Sequence, residues 1–283
     1  MKTEYNLSMQ LREIFNSLLS IINLRIVRES NQEFVSLTPH WRAGTRWREV
    51  TVPTELRDFV KKNLQFSFSQ VQQDLFVAWV IKEAEQMKLV SKRDYFFVEF
   101  GATNGYKLSN TFYLEKILNW NGILCEPARI WRVDLARIRT CAIDFRCVYS
   151  ETDKTLSFSE STDPELGTLS EFRFTDEHSD SRKVGKEYEV LTVSLLDLLD
   201  GHKAPLEIDY LSIDTEGSEF EILKSFNFNK YSFNVITVEH NFTAKREQIF
   251  NLLSSHGYMR VLSQVSEQDD WYINERLIDI FNK

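Results

Sequence analysis

Two segments of the sequence share a pattern in which a strand-length apolar run ends on a carboxylate and is followed by glycine. They are YFFVEFGATNG at 95–105 and IDYLSIDTEGSEF at 208–220. In both segments, apolar residues at helical spacing come after the glycine. Strands that alternate with helices form βαβ units and a mostly parallel sheet. We therefore predict an α/β fold with a Rossmann-like, doubly wound sheet that is covered on both faces.

The alternation continues through the rest of the chain. The predicted further strands are GILCEP at 122–127, CAIDFRCVYS at 141–150 and FNVITVEHN at 233–241, and a final antiparallel hairpin is predicted after Gly257. The predicted helices include DLFVAWVIKEAEQMKLV at 74–90, which is amphipathic by its periodicity, and LSNTFYLEKILNW at 108–120. These elements place the start of the alternating region near residue 93.

Two regions carry no motif of their own. Residues 1–66 are predicted as an N-terminal helical segment in front of an α/β domain at 67–283. The role of this segment is open between a dimer arm, a substrate platform and packing, so a homodimer is one arrangement considered. The polar stretch 151–189 is predicted to hold a hairpin and a mobile loop, and its composition suggests a lid over the bound substrate.

Charge and composition restrict the possible partners and the compartment. The chain carries 34 basic and 42 acidic residues, a net charge of −8, and no run of five Lys or Arg, which argues against nucleic acid as a partner. Three cysteines are too few for a disulfide framework. The N-terminus lacks a signal-peptide apolar region, and no apolar stretch reaches spanning length. We expect a cytoplasmic protein without a transmembrane segment.

Four carboxylates follow or end predicted strands, and they are Glu99, Glu126, Asp214 and Glu239. Ligands of parallel sheets bind beyond the carboxyl ends of the strands, where the strand order switches. Because four acidic groups on one edge repel each other, a cationic or hydroxyl-rich ligand is expected to share this edge. The structural alternative for each carboxylate is a helix N-cap or a turn acceptor.

The first turn indicates which ligand suits this edge. EFGATNG lacks the G-x-G-x-x-G spacing of dinucleotide folds, and Glu99 would be unfavourable beside a pyrophosphate. The carboxylate suits the amino group and sulfonium of S-adenosylmethionine, and Gly101 and Gly105 allow close backbone approach. Glu126 suits ribose hydroxyls, which both S-adenosylmethionine and NAD possess. The stretch from Asp144 to Arg146 is predicted to lie at the adenine edge.

The later strand ends carry the candidate chemistry. Asp214, Glu239 and His240 can bind one divalent cation through oxygen and imidazole ligands. Alternatively, His240 or Asp214 can act as a general base. A purely structural His240 at the sheet edge is the third possibility.

Together, several motifs resemble the FkbM-type methyltransferases, a branch of the class I S-adenosylmethionine-dependent fold. They are FFVEFGATNGYKLSNTFYLEK, WNGILCEP, DFRCVYS, IDYLSIDTEGSEFEIL and VITVEHN, with SFSQVQQDLFV before the first strand. The resemblance runs from Ser67 to Ile273. It implies a seven-stranded sheet with a last antiparallel hairpin. It also implies methyl transfer to oxygen, commonly a sugar hydroxyl of a polysaccharide, glycolipid or natural product.

The resemblance also assigns residues to the cofactor. Glu99, Gly101 and Gly105 match the methionine-end loop, Glu126 matches the ribose carboxylate, and Asp214 and Glu216 match the DTEG turn. Thr103 stands where the commoner loop has its middle glycine. The full predicted cofactor-binding set is Glu99, Gly101, Ala102, Asn104, Gly105, Ser109, Glu126, Pro127, Asp144, Arg146, Asp214 and Glu216. The predicted catalytic residues are Asp214, Glu239 and His240, and the same three are the predicted ligands for Mg²⁺ or another divalent cation.

Three functional hypotheses follow. The first is an S-adenosylmethionine-dependent O-methyltransferase, with a small-molecule or glycan acceptor. The second is a non-catalytic Rossmann-like module that binds glycan or a partner protein. The third is an NAD-dependent oxidoreductase, against which the carboxylate beside the first turn counts.

Overall fold

The structure is a computed structural model that describes residues 52–174, 180 and 182–282. Within these residues the strands are β1 (Phe96–Phe100), β2 (Asn121–Cys125), β3 (Ala142–Asp144), β4 (Cys147–Tyr149), β5 (Thr155–Glu160), β6 (Thr168–Leu169), β7 (Lys186–Ser194), β8 (Glu207–Ile213), β9 (Ser232–Glu239), β10 (Tyr258–Val261) and β11 (Asp269–Asn274). The α-helices of the same residues are α1 (Thr54–Asn63), α2 (Gln73–Gln86), α3 (Phe112–Lys116), α4 (Arg132–Ile138), α5 (Leu195–Gly201), α6 (Glu219–Ser225) and α7 (Lys245–Ser255).

Seven strands form the central sheet in the order β3-β2-β1-β8-β9-β11-β10. The neighbours from β3 to β9 pair in parallel, and β11 runs antiparallel between β9 and β10. The strand order reverses at β1, which pairs with β2 on one side and β8 on the other. The predicted mostly parallel seven-stranded sheet with its final antiparallel hairpin is confirmed. The ends of β1 and β8 therefore flank the point where such sheets bind ligands.

The sheet is covered on both faces. Phe97 belongs to the apolar cluster that includes α1 and α2, whereas its neighbour Val98 belongs to the cluster that includes α5, α6 and α7. Successive side chains of a strand point to opposite faces, so this division follows directly from the sequence of β1. The doubly wound arrangement is confirmed.

Two predicted helices differ from the structure. The helix predicted as amphipathic, α2, has eleven buried residues among its fourteen, including Asp74. The Asp74 carboxylate is satisfied inside the protein, because it accepts hydrogen bonds from Ser67 Oγ and Ser69 Oγ, both at 2.7 Å. The helix predicted at 108–120 is shorter, since α3 spans only Phe112–Lys116. Leu108 has a left-handed backbone (φ 59°), which is incompatible with a continuous helix.

The strand predicted at 141–150 is wrong as a single element. It is divided into β3 of the central sheet and β4 of a second sheet. Between them, the Asp144 carboxylate accepts a hydrogen bond from the backbone N–H of Arg146 at 2.9 Å. This side chain-to-backbone turn redirects the chain after β3.

The second sheet has four strands in the order β4-β7-β5-β6. β5 pairs in antiparallel fashion with the next strand, β6, so a hairpin is present within 151–189, and β7 pairs with the other edge of β5. Residues 175–179 and 181 of that stretch lie outside the described residues, and the lid stays a prediction. Residues 1–51 of the predicted N-terminal segment also lie outside them, whereas its described end holds α1 and a short 3₁₀ turn at Leu64–Phe66. None of the helices within the described residues has the length and apolar character that a membrane span requires.

Candidate functional site

The first turn of the site is packed directly against the turn that follows β8. Gly101 has a left-handed backbone (φ 72°), and a Cβ atom built on it would lie 1.8 Å from the backbone oxygen of Asp214. The backbone N–H groups of Gly101 and Ala102 donate to the carbonyl of Cys125 at the end of β2. Only glycine can occupy position 101, because it alone permits both the conformation and the contact.

Glu99 organises the segment between this turn and α3. Its buried carboxylate accepts hydrogen bonds from the backbone N–H of Asn110 (2.7 Å), Ser109 Oγ (3.1 Å) and Thr111 Oγ1 (2.5 Å). Burial raises the pKa of Glu99, and the Arg139 charge and these hydrogen bonds oppose that rise. In this conformation both carboxylate oxygens are used inside the protein. The predicted contact of Glu99 with the methionine end of a cofactor stays a prediction.

A buried arginine that the sequence analysis did not identify closes the same segment. Arg139 follows α4, and its fully buried guanidinium donates to Gly105 O (3.1 Å) and Thr111 Oγ1 (2.8 Å). It also pairs with Glu115, whose pKa lies well below its usual range because Arg139 and other donors outweigh burial. A Cβ atom at Gly105 would lie 2.7 Å from Arg139 Cγ. No local sequence signal distinguishes this arginine from its exposed neighbours.

Thr103 and Glu126 connect the first turn to the end of β2. Thr103 has a left-handed backbone (φ 45°), so it adopts the conformation that glycine provides in the commoner loop. Its backbone N–H donates to Glu126 Oε2 at 2.7 Å, and the N–H of Ala128, beyond Pro127, donates to Oε1 at 2.8 Å. Burial raises the pKa of Glu126 to about 7. Asn104 serves the turn itself, since its Oδ1 accepts from the N–H groups of Tyr106 and Lys107.

The predicted adenine-edge residues form a compact ion pair. Arg146 NH2 lies 2.7 Å from Asp144 Oδ2, and Arg146 Nε lies 3.0 Å from Oδ1. His202 Nε2 is 3.3 Å from the same carboxylate. Hydrogen bonds from Arg146 and His202 lower the pKa of Asp144 more than burial raises it. The structure thus brings Asp144 and Arg146 together at the end of β3.

The polar groups of this edge fit S-adenosylmethionine. Each oxygen of Glu126 accepts one hydrogen bond from the part of the chain that the structure describes. Because a carboxylate oxygen can accept two, capacity remains for ribose hydroxyls. Asn110 Oδ1 is a buried acceptor without a hydrogen-bond partner among the described residues. It lies beside the Glu99 segment, because the Asn110 backbone donates to that carboxylate. An ammonium group at the methionine end is a suitable donor for such an acceptor.

The second half of the site is an acidic cluster of Asp214, Glu216 and Glu239, in which one carboxylate oxygen from each residue lies within 4.8 Å of the others. Burial raises the pKa of Asp214 to about 6 and, together with the Asp214 charge, raises that of Glu239. The two carboxyl groups are close enough to affect each other's ionisation. Such a pair shares a proton, since two adjacent carboxylates resist double ionisation. A cavity of about 190 Å³ lies alongside and is lined in part by Glu239, His240 and Lys245.

His240 is held apart from the acidic cluster. Its Nδ1 accepts the backbone N–H of Phe242 at 3.0 Å, and its Nε2 lies 3.8 Å from Asp270 Oδ1. Asp270 is itself bound by Arg246 at 2.7 Å. Burial lowers the pKa of His240. Within the described residues, the structure therefore groups Asp214 and Glu239 with Glu216, and His240 of the predicted trio is not part of that group.

Two contacts to Glu216 come from the region of the second sheet and were missed by the sequence analysis. Thr168 Oγ1 donates to the backbone oxygen of Glu216 at 2.8 Å, and Arg182 NH2 donates to its Oε2 at 2.6 Å. Glu216 itself has a left-handed backbone (φ 58°). Both partners lie more than thirty residues away in the sequence, so no spacing pattern could reveal them.

Comparison with protein-family models agrees with the resemblance seen in the sequence. The sequence model of the methyltransferase FkbM domain matches residues 99–267, more than half of the chain. No curated protein sequence matches the chain at a significant level. Among solved structures, precorrin-6y C5,15-methyltransferase from Geobacter metallireducens GS-15 is similar at 11% identity, over 70% of this chain and 85% of that chain, with a TM-score of 0.35.

Proposed function

The chain belongs to the methyltransferase FkbM domain family, and on this basis we propose that it transfers a methyl group from S-adenosylmethionine to a sugar hydroxyl. The sugar would belong to a polysaccharide, a glycolipid or a natural product. The methyltransferase domain would span 67–283, and a separate segment at 1–66 would precede it in the sequence. A cytoplasmic location and a homodimer stay predictions.

One observation supports this proposal above the others: the cofactor-type turn and the acidic cluster meet at one edge of the sheet. Gly101 packs against the backbone of Asp214, so the two halves of the site are in direct contact. Glu126 would accept the ribose hydroxyls, and the residues around Asn110 would hold the methionine end. When bound, S-adenosylmethionine supplies a methyl group that is already activated on a sulfonium. The protein must then align the acceptor oxygen and remove its proton, and alignment alone can contribute roughly 7–11 kcal/mol.

We assign the proton acceptor to the Asp214–Glu239 pair. Because the two carboxyl groups share a proton, one of them is ionised near neutral pH and can accept the hydroxyl proton. His240 is a weaker candidate, since Nδ1 already accepts the N–H of Phe242 and proton uptake there would break that bond. An acidic edge also favours a hydroxyl-rich acceptor over an anionic one, because its carboxylates accept hydrogen bonds and repel negative charge.

A divalent metal is the alternative means of activating the hydroxyl. Asp214, Glu216 and Glu239 offer three carboxylate oxygens, the ligand type that Mg²⁺ prefers. In that version the metal would lower the pKa of the bound hydroxyl, and the carboxylates would serve as its ligands. Adding and removing Mg²⁺ distinguishes the two versions.

The first test is calorimetric titration with S-adenosylhomocysteine, on the wild type and Glu126→Ala, with and without Mg²⁺. We expect micromolar binding that is lost in the variant, and Glu151→Ala, an exposed carboxylate, serves as the matched control. Transfer of labelled methyl to a panel of glycans then identifies the acceptor. No heat in any condition would refute the proposal and favour a non-catalytic module. Binding without transfer to any glycan would refute the sugar acceptor alone.

A further inference from the structure

Arg182 places a permanent positive charge against the acidic cluster. Its side chain is fully buried, and NH2 lies 2.6 Å from Glu216 Oε2. A second guanidinium nitrogen, Nε, donates to the carbonyl of Leu166 at 2.8 Å. A buried arginine requires this kind of pairing, because a positive charge is costly to bury without hydrogen-bond acceptors and an opposite charge.

The backbone that carries Arg182 is fixed by a second arginine. Arg173 donates from Nε to Arg182 O at 2.6 Å and from NH2 to Lys183 O at 2.7 Å. Its third contact is with Glu187 Oε1 of β7, at 2.7 Å. The position of Arg182 is therefore determined by the second sheet and its adjoining residues, and is not that of a loose surface side chain.

Glu216 is held on both its backbone and its side chain by this same region. Thr168 of β6 binds its carbonyl at 2.8 Å, while Arg182 binds its carboxylate. A divalent cation bound by the Glu216 carboxylate would lie close to the guanidinium that already binds this carboxylate. In a buried site, like charges at this distance repel each other strongly, so the metal ion and the guanidinium would compete for Glu216.

We propose that Arg182 is a positioning residue that provides the built-in cation of the acidic cluster, in place of a divalent metal ion. The inference rests on the proposed methyl transfer and selects its metal-free version. Arg182 compensates the charge of Glu216 and fixes its side chain, which leaves the Asp214–Glu239 pair available to take the acceptor proton. Methyl transfer then proceeds without Mg²⁺.

The test is a titration of the full chain with Mn²⁺, followed by electron paramagnetic resonance, on wild type, Arg182→Gln and Arg182→Lys. We expect Arg182→Gln to bind Mn²⁺ tighter than wild type by roughly tenfold or more, the change that about 1.4 kcal/mol of lost repulsion produces. Arg182→Lys keeps the charge and should behave like wild type. Arg129→Gln is the matched control. Arg129 binds the carbonyl of Glu189, so this substitution removes the same charge at a different place.

Two results would overturn the proposal. One is tight Mn²⁺ binding by wild type that Glu216→Gln abolishes. The other is an Arg182→Gln protein that binds S-adenosylhomocysteine normally and gains no Mn²⁺ affinity. If Arg182→Gln does not fold, two other measurements test the proposal. They are the wild-type Mn²⁺ titration and the methyl-transfer rates of wild type and Arg182→Lys in EDTA. A rate that is lost in EDTA and restored by Mg²⁺ contradicts the proposal. Failure to methylate any acceptor would refute the proposed function and leave the Mn²⁺ result intact.

Discussion

The Arg139 guanidinium lies 3.7 Å from the Glu99 carboxylate, and the two side chains are 0% and 4% exposed. Glu99 is the next-to-last residue of β1, whereas Arg139 follows α4, so the pair connects two separate βα units. Between them lies the segment whose backbone Glu99 holds through Asn110. The conformation of the cofactor turn therefore depends on a buried charge pair and not on its glycines alone.

Removing the charge of Arg139 should destabilise the protein strongly. Arg139→Gln would leave Glu99 buried without its compensating charge and Glu115 with Lys116 as its remaining cation, and loss of one partner of a buried pair costs about 3–5 kcal/mol. Denaturation with guanidinium chloride measures this loss. Arg137→Gln, two residues earlier, removes an exposed pair with Asp134 and should change the free energy of unfolding by less than about 1 kcal/mol. Equal stability of the two variants would contradict this account.

Gly101→Ala should abolish cofactor binding. The added methyl group would lie 1.8 Å from Asp214 O, and the left-handed backbone adds further strain, so the turns after β1 and β8 must separate. Gly201→Ala is the control, because a Cβ atom there meets nothing within 4 Å. Calorimetry with S-adenosylhomocysteine should show binding by Gly201→Ala and none by Gly101→Ala. Normal binding by Gly101→Ala would mean that the two turns are not in the contact described.

Cofactor affinity should increase with pH through the range near 7. Burial raises the pKa of Glu126 to about 7, and ribose hydroxyls donate to its ionised form. Below pH 7 the free protein must lose a proton to bind, so affinity should fall about tenfold per pH unit, and above pH 7 it should level off. Titrations of S-adenosylhomocysteine from pH 5.5 to 8.5, roughly one and a half units either side of this pKa, test this. Glu126→Gln cannot ionise and should bind S-adenosylhomocysteine weakly at every pH. If the affinity of this variant still changes with pH, another group causes the pH dependence.

Loss of a proton acceptor should reduce turnover far more than it reduces cofactor affinity. Asp214→Asn and Glu239→Gln should each reduce kcat by about 10²–10⁴-fold, the usual contribution of a general base. His240→Asn should have the smaller effect, because its ring binds the Phe242 backbone and faces Asp270. Single-turnover transfer of labelled methyl, with S-adenosylhomocysteine affinity as the control, separates these effects. A larger loss in His240→Asn would reverse the assignment.

The sequence predicted the parts of the fold that depend on local patterns. Apolar runs that end on Glu99 and Asp214, followed by glycine, specify a strand and a turn within about ten residues. The stop at Gly257 and the final hairpin are equally local, and Gly257 has the expected left-handed backbone (φ 79°). These features place four carboxylates at one edge before any tertiary contact is known.

The parts that were missed depend on distant partners. Arg139 and Arg182 look like ordinary surface arginines in the sequence, and their burial follows only from carboxylates that lie far along the chain. The sequence did not reveal the break between β3 and β4. The strand pattern is continuous there, and only the short Asp144–Arg146 turn interrupts it. The periodicity of α2 predicted an amphipathic helix, although even its Asp74 carboxylate is buried, where two serines bind it.

The insertion of β11 between β9 and β10 has a consequence for synthesis on the ribosome. β10 leaves the ribosome before β11, yet it reaches the sheet only through β11. Until residues 269–274 emerge, the outer edge of β9 presents unpaired N–H and C=O groups that can pair with another nascent chain. A chain arrested before Asp269 is therefore expected to aggregate, because β11 is the strand that closes this route.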